Sequence, residues 1–350
     1  MPAPSIATRI SIQVFGTALL TISMGLAACA PRAELSLMNP PVSAGPEEAE
    51  RFDMVAVTTR ARQTPTSNIF TTNRSFEPNH ALFEIVSSSD REPGDMGGSE
   101  TVSGLAVERQ AIITSRRALL DQIADRPVPR KVSVFVHGFN LNFPEAVMRT
   151  AQLSADDVID GYPVLFAWPS EARLQGYLHD RDAVLVSRDA LVQLLIDLVE
   201  DRRLNEVDIL AHSMGAFLTV EAMRQLRLTG RGDVLDQLSV TLAGPDIDTD
   251  VFAAQMAVIG PMRRPVKILV APDDRALMLS GRLSGDARLG ALDVTDRRVR
   301  DNSAKYNIAI VDISELPTTD GLRHARYSGL GRTTVTMVNS ANCVKQAPLS

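Results

Sequence analysis

Val207-Asp208-Ile209-Leu210-Ala211-His212-Ser213-Met214-Gly215-Ala216 is the stretch on which the reading of this chain turns. An apolar, β-type run enters a serine that has Ala211 and Gly215 two positions to either side. A helical pattern, Met214 to Leu228, starts at once and closes at Gly230, where a C-terminal glycine cap belongs. A serine on so sharp a strand-to-helix turn has a strained backbone, and only small residues fit two positions away. Its hydroxyl then stands clear at the end of the strand, and the next backbone N–H is free to stabilise an oxyanion. A serine before a helix is often no more than an N-cap. The strand ahead and the helix behind mark Ser213 as a candidate nucleophile.

Working outward, short β-type runs occupy Lys131 to Gly138, Tyr162 to Trp168, Glu206 to Ala211, Ser239 to Ala243, Val266 to Ala271 and Asn307 to Val311. Helical patterns lie between them, the clearest through Ala183, Ser187, Ala190, Leu191, Leu194, Leu195, Leu198 and Val199. Buried strands alternating with helices predict an α/β fold, a mostly parallel sheet with helices on both faces. Residues 53–58 and 80–87 are expected as additional edge strands. The interval from Ala243 to Val266 has room for one helix, which predicts a shallow, open site without a large cap domain.

A second element, Phe135-Val136-His137-Gly138-Phe139-Asn140, precedes the serine. With it stand Phe166-Ala167-Trp168-Pro169-Ser170, the Ala-His-Ser-Met-Gly turn, Gly244-Pro245-Asp246-Ile247-Asp248 and Asp274-Arg275-Ala276-Leu277, in that order. Together they resemble the α/β-hydrolase superfamily, and most closely a bacterial α/β-hydrolase family once catalogued as a domain of unknown function. The resemblance covers about residues 53 to 330 and departs from the superfamily's Gly-x-Ser-x-Gly elbow only at Ala211. It implies backbone donors for an oxyanion at Phe139 and Met214. It also implies that His137 and Gly138 shape the loop beside the substrate; Trp168 and Phe139 are expected as its aromatic walls.

The superfamily order is nucleophile, acid, histidine. Of the five histidines, His80, His137, His179, His212 and His324, only His324 follows Ser213. It is therefore the expected general base. The acid should follow a late strand, where Asp274 fits the spacing to Leu277; Asp273 is the neighbouring alternative, and Asp246 or Asp248 a third. The function expected is ester cleavage through Ser213, Asp274 and His324 and an acyl-enzyme, on a small-molecule or lipid ester. An acyltransferase using the same triad, or a catalytically silent scaffold, is the alternative. The chemistry requires no cofactor or metal, and no Cys or His spacing suggests a zinc site.

Hydrophobic residues make up 45% and charged residues 22% of the 350, with a formal net charge of −6. That is a globular composition, and its charge argues against a nucleic-acid surface. Arg9 precedes an apolar run from Ile10 to Ala28, and the run ends Leu26-Ala27-Ala28-Cys29. This is the layout of a secretory signal, and its end resembles a bacterial lipobox. Residues 1–29 are accordingly expected to be a lipoprotein-type signal peptide with Cys29 as the lipidation site. Residues 30–51, rich in Pro, Ala, Ser and Glu, should form a tether, and 52–350 one hydrolase domain. The expected location is the cell envelope, on a membrane facing the periplasm, with Ala30 favouring the outer one. A soluble periplasmic or secreted form is the alternative. Cys343 is expected to be a free thiol.

Overall fold

A computed structural model describes residues 49–88, 91, 104–125, 130–295, 297–318 and 320–332. The segment expected as a signal peptide, Cys29, most of the expected tether and Cys343 lie outside the described residues. Nine strands form one sheet: β1 (Glu50–Arg62), β2 (Phe70–Ser87), β3 (Leu105–Ile113), β4 (Lys131–Val136), β5 (Tyr162–Ala167), β6 (Glu206–His212), β7 (Leu238–Ala243), β8 (Val266–Val270) and β9 (Ile308–Asp312). The spatial order is β3-β2-β1-β5-β4-β6-β7-β8-β9. From β1 to β9 every neighbouring pair is parallel, and β2 and β3 join antiparallel.

One expectation needs correction here. β1 and β2 are not edges: β1 is hydrogen-bonded to β2 and β5, and β2 to β1 and β3. The edge belongs to β3, whose polar sequence LAVERQAII buries only Leu105 and Val107. One solvated face is what an edge strand permits, and it weakens the hydrophobic signal. Strand β1 begins at Glu50, which pairs with Ser87.

The eight helices among the described residues are α1 (Arg116–Ala124), α2 (Phe143–Ala155), α3 (Tyr177–Glu200), α4 (Met214–Leu228), α5 (Gly232–Leu235), α6 (Thr249–Ile259), α7 (Arg275–Ser284) and α8 (Arg297–Tyr306). Strand side chains alternate between two cores. Val132, Val134, Val136, Val207, Ile209 and Ala211 join Leu191, Leu195, Leu218 and Met256 on one face. Phe135, Leu165 and Leu210 join Phe143, Val147 and Met148 of α2 on the other. Alternation with both faces buried is the pattern of a doubly covered sheet.

The chain leaves β4 for β5 on one side and, through α3, returns to β6 on the other. This reversal opens a crevice at the carboxyl ends of β4 and β6, where α/β sheets place their ligands. Between β7 and β8 stands α6 alone, so among the described residues no large cap is inserted there.

Candidate active site

Ser213 follows β6 and occupies the N-cap position of α4 with φ 53° and ψ −118°, a backbone conformation that side chains rarely adopt. Such strain costs about 1–3 kcal/mol and persists only where its surroundings fix it. The Ser213 N–H donates to the Ala243 carbonyl at 3.0 Å. Its own carbonyl accepts from Ala216 at 3.0 Å and Asp246 at 3.3 Å. With the Ser213 amide occupied, the next one, Met214 at the helix start, is among the N–H groups that have no partner within a helix.

Two glycines bring the neighbouring loop against this turn. A Cβ on Gly215 would lie 2.3 Å from the His137 carbonyl and 2.5 Å from that of Val136. A Cβ on Gly138 would meet Nδ1 of His212 at 2.7 Å and Cβ of Ser213 at 3.1 Å. The backbone at Gly138 therefore lies close against the serine, with no room for a side chain.

That loop is braced from behind. The His137 and Trp168 rings stack at 4.8 Å, and Trp168 Nε1 donates to the His137 carbonyl at 2.7 Å. His137 Nδ1 and Nε2 face the Gly138 and Trp168 carbonyls at 2.8 and 3.1 Å. Burial, helped by the Arg60 charge, pushes the His137 pKa down to about 3, so the ring is neutral. Both side chains are 0% exposed. Trp168 therefore gives way as an aromatic wall: its indole fills the core, and with His137 it shapes the site from beneath. Phe139 is half-buried and packs edge-on against Tyr177 of α3 at 5.3 Å.

Arg60 of β1, a residue that sequence reasoning missed, completes the brace. Fully buried, it donates to the Leu141 carbonyl at 3.0 Å and the Ser170 carbonyl at 3.1 Å. It thus fastens the loop after β4 to the loop after β5. Burial lowers its pKa to about 10, which leaves it charged near neutrality. Only its contacts disclose this; an arginine in a strand carries no such signal in sequence.

The structure separates the three candidate acids. Asp274 Oδ2 lies 2.6 Å from His324 Nδ1, while Oδ1 accepts the Leu277 N–H at 3.0 Å and caps α7. Asp273 turns instead to Arg323 at 2.7 Å and to Arg326, which reaches both its oxygens. The Arg326 hydrogen bonds, followed by Arg323, hold the Asp273 carboxyl down at about 2. Asp246 is buried among Tyr177 Oη at 2.8 Å, Ser280 Oγ at 2.7 Å and Arg288 Nε at 3.2 Å. Asp248 caps α6 by accepting from Asp250 and Val251.

The loop bearing His324 is tightly held. Asp320 accepts from the His324 N–H at 2.8 Å and the Ala325 N–H at 3.3 Å. The His324 ring sits over Gly244: a Cβ there would be 3.5 Å from Cε1 and 3.6 Å from Nδ1. Gly244 follows Ala243, the acceptor of the Ser213 amide, so the imidazole lies over the residue next to that acceptor. His212, just before Ser213, tilts against the His324 ring at 4.5 Å and directs Nε2 to the His324 carbonyl at 3.2 Å. Burial and then the charge of His324 hold His212 well below its ordinary pKa, so it stays neutral. Burial works against charge on His324 too. There the hydrogen bond and charge of Asp274, with Asp246 and Asp320 beyond, prevail and raise the pKa.

Residues 114–340 match the profile of a family described as alpha/beta hydrolases of unknown function (DUF900). The chain belongs to this family. As an α/β hydrolase it carries the fold that its sheet and crevice display. No curated protein matches its sequence. Among solved structures it is similar to a putative hydrolase from Agrobacterium vitis S4, at 12% identity and a TM-score of 0.33, over 78% of this chain and 91% of that one. An esterase from Rhizomucor miehei is similar at 10% identity and a TM-score of 0.33, over 86% and 81% of the two chains. The peroxisomal α/β-hydrolase Lpx1 of Saccharomyces cerevisiae is similar over 57% of this chain and 46% of its own, at 13% identity and a TM-score of 0.25.

Proposed function

We propose that this α/β hydrolase cleaves carboxylic esters with Ser213 as nucleophile, His324 as general base and Asp274 as the acid that orients it. The observation that carries this reading is the 2.6 Å contact of Asp274 with His324 Nδ1, beside a serine held at positive φ. Asp274 fixes the tautomer with the proton on Nδ1, which leaves Nε2 to take the proton of Ser213. Ser213 Oγ bonds to the ester carbonyl carbon, and the carbonyl oxygen becomes an oxyanion held by the amides of Phe139 and Met214. His324 returns the proton to the departing alcohol as its C–O bond breaks. Water then attacks the acyl carbon and gives a proton to His324, which passes it to Ser213 Oγ as the acyl–Oγ bond breaks, releasing the acid and free Ser213.

The sequence Leu26-Ala27-Ala28-Cys29 supports export and lipidation at Cys29, and thus a place at the cell envelope. Stopped-flow hydrolysis of p-nitrophenyl esters of increasing chain length tests the chemistry. A burst of p-nitrophenolate equal to the enzyme, followed by slower turnover, is the expected result. Linear release at the rate of buffer alone across the series overturns it.

A further inference from the structure

Helix α7, which starts at the acid Asp274, turns its apolar side to water. Leu277, Ser280 and Gly281 face the protein, Leu277 buried and Ser280 bonded to Asp246. Met278, Leu279 and Leu283 lie on the opposite side, exposed by 42%, 48% and 78%. Arg275 and Arg282 share that side, and the helix contains no acidic residue. Across the site, Leu174 and Leu178 flank Tyr177 and are exposed by 60% and 77%. Tyr177 Oη is 3.2 Å from Ser280 Oγ, so the two helices adjoin. Leu322, whose carbonyl accepts the Arg275 N–H, adds a further exposed apolar side chain two residues before His324. Large apolar side chains thus cluster where the acid, the base and the Tyr177–Phe139 contact meet, whereas scattered ones would need no explanation.

We infer that this rim docks on an anionic lipid bilayer and offers the Ser213 site to acyl esters held there. The inference rests on the ester-hydrolase reading for its substrate, not for its docking. On α7, leucines and a methionine beside arginines, with no acid in the helix, make the surface that an interfacial helix presents to lipid: apolar area enters the acyl boundary and arginines meet phosphates. The chain between Cys29 and the first described residue, about 20 residues, reaches at most about 70 Å when extended. A lipid on Cys29 would hold the rim within that distance of the same membrane.

Vesicle co-sedimentation tests this with a chain starting at residue 30, which retains every described residue, and with Ser213→Ala introduced so that catalysis plays no part. Binding is expected to phosphatidylglycerol-rich vesicles, weaker to pure phosphatidylcholine and weakened by salt. The double change Leu279→Ser/Leu283→Ser should reduce partitioning about tenfold or more. Leu178→Ser should reduce it less, and Arg282→Glu should act on anionic vesicles only; all four residues are exposed, and thermal melting checks folding. Failure of the parent to bind, or undiminished binding by the correctly folded variants, overturns the assignment. So does sedimentation velocity showing a dimer that these changes dissolve, which gives the face to a second copy. None of these outcomes depends on an active serine, so ester hydrolysis can fail separately.

Discussion

One carboxylate does two jobs in this fold: Asp274 caps helix α7 through Oδ1 and grips His324 through Oδ2. The cap fixes the position of Cα and the rotamer of the side chain, and the second oxygen inherits that rigidity. An acid on a mobile loop would lose rotamer entropy whenever it met the imidazole.

The two jobs separate by substitution. Asparagine is as good a helix cap as aspartate. Asp274→Asn should therefore keep stability within about 0.5 kcal/mol of the parent, while ester turnover falls roughly 10³–10⁴-fold through loss of the correct tautomer. Asp274→Ala should lose turnover and also about 1 kcal/mol of stability. Urea denaturation beside steady-state kinetics checks both. Equal stability losses in the two variants would contradict the division of labour.

The pH dependence follows from His324. A general base works only when neutral, and the raised pKa places protonation above its ordinary value of 6.5. The kcat/KM profile should therefore fall on its acid side with a midpoint above 6.5, and Asp274→Asn should move that midpoint down. A midpoint below 6 in the parent would mean that burial prevails over the carboxylates.

Asp273 gives a different signature. Its carboxyl is held at about 2 by Arg326 and Arg323, below its ordinary value of 3.8. A depressed acid contributes stability above its unfolded pKa and loses it as the pH falls through the folded one. The clasp on the His324 loop should therefore weaken between about pH 4 and pH 2. Asp273→Asn should flatten the decline of melting temperature across that window; an unchanged slope would show that the clasp contributes little.

The serine turn and the histidine beyond it were legible because their signals are local or topological: small neighbours around a serine after a strand, and one histidine after it. The carboxylate that meets His324 was legible only as a preference for Asp274. Two late loops carry candidate carboxylates, and within the second the contacts that separate Asp273 from Asp274 come from Arg323 and Arg326, which lie 50 and 53 positions from Asp273 and occupy it. Trp168 shows the same limit, since a strand-end aromatic reads alike whether it faces a crevice or a core. β3 was missed because one of its faces is polar, and Arg60 because nothing local distinguishes a bracing arginine from a surface one.

Arg60 provides the most distant test of the proposed oxyanion loop. Arg60→Met removes two buried donors and leaves the carbonyls of Leu141 and Ser170 without them, a loss of about 2–4 kcal/mol. Because the loop bearing Phe139 should shift, kcat should fall in protein that remains folded at low temperature, with KM nearly unchanged. A rise in KM alone would place Arg60 in substrate binding instead.

At the elbow, Gly215→Ala should abolish folding, because the added carbon would sit 2.3 Å from the His137 carbonyl oxygen. Ala211→Gly, which restores the superfamily's small residue, should be tolerated with a loss of about 1 kcal/mol. Expression and melting temperature separate the two; equal tolerance would mean that the loop over Ser213 is less closely packed than its geometry requires.

The central claim is that Ser213 is an activated nucleophile, and the most direct measurement is covalent capture by a fluorophosphonate, read as intact mass. The account predicts one adduct per chain, located on Ser213, absent from Ser213→Ala and slowed by orders of magnitude in His324→Ala. A folded parent protein that takes no adduct, or takes it on another residue, contradicts the account.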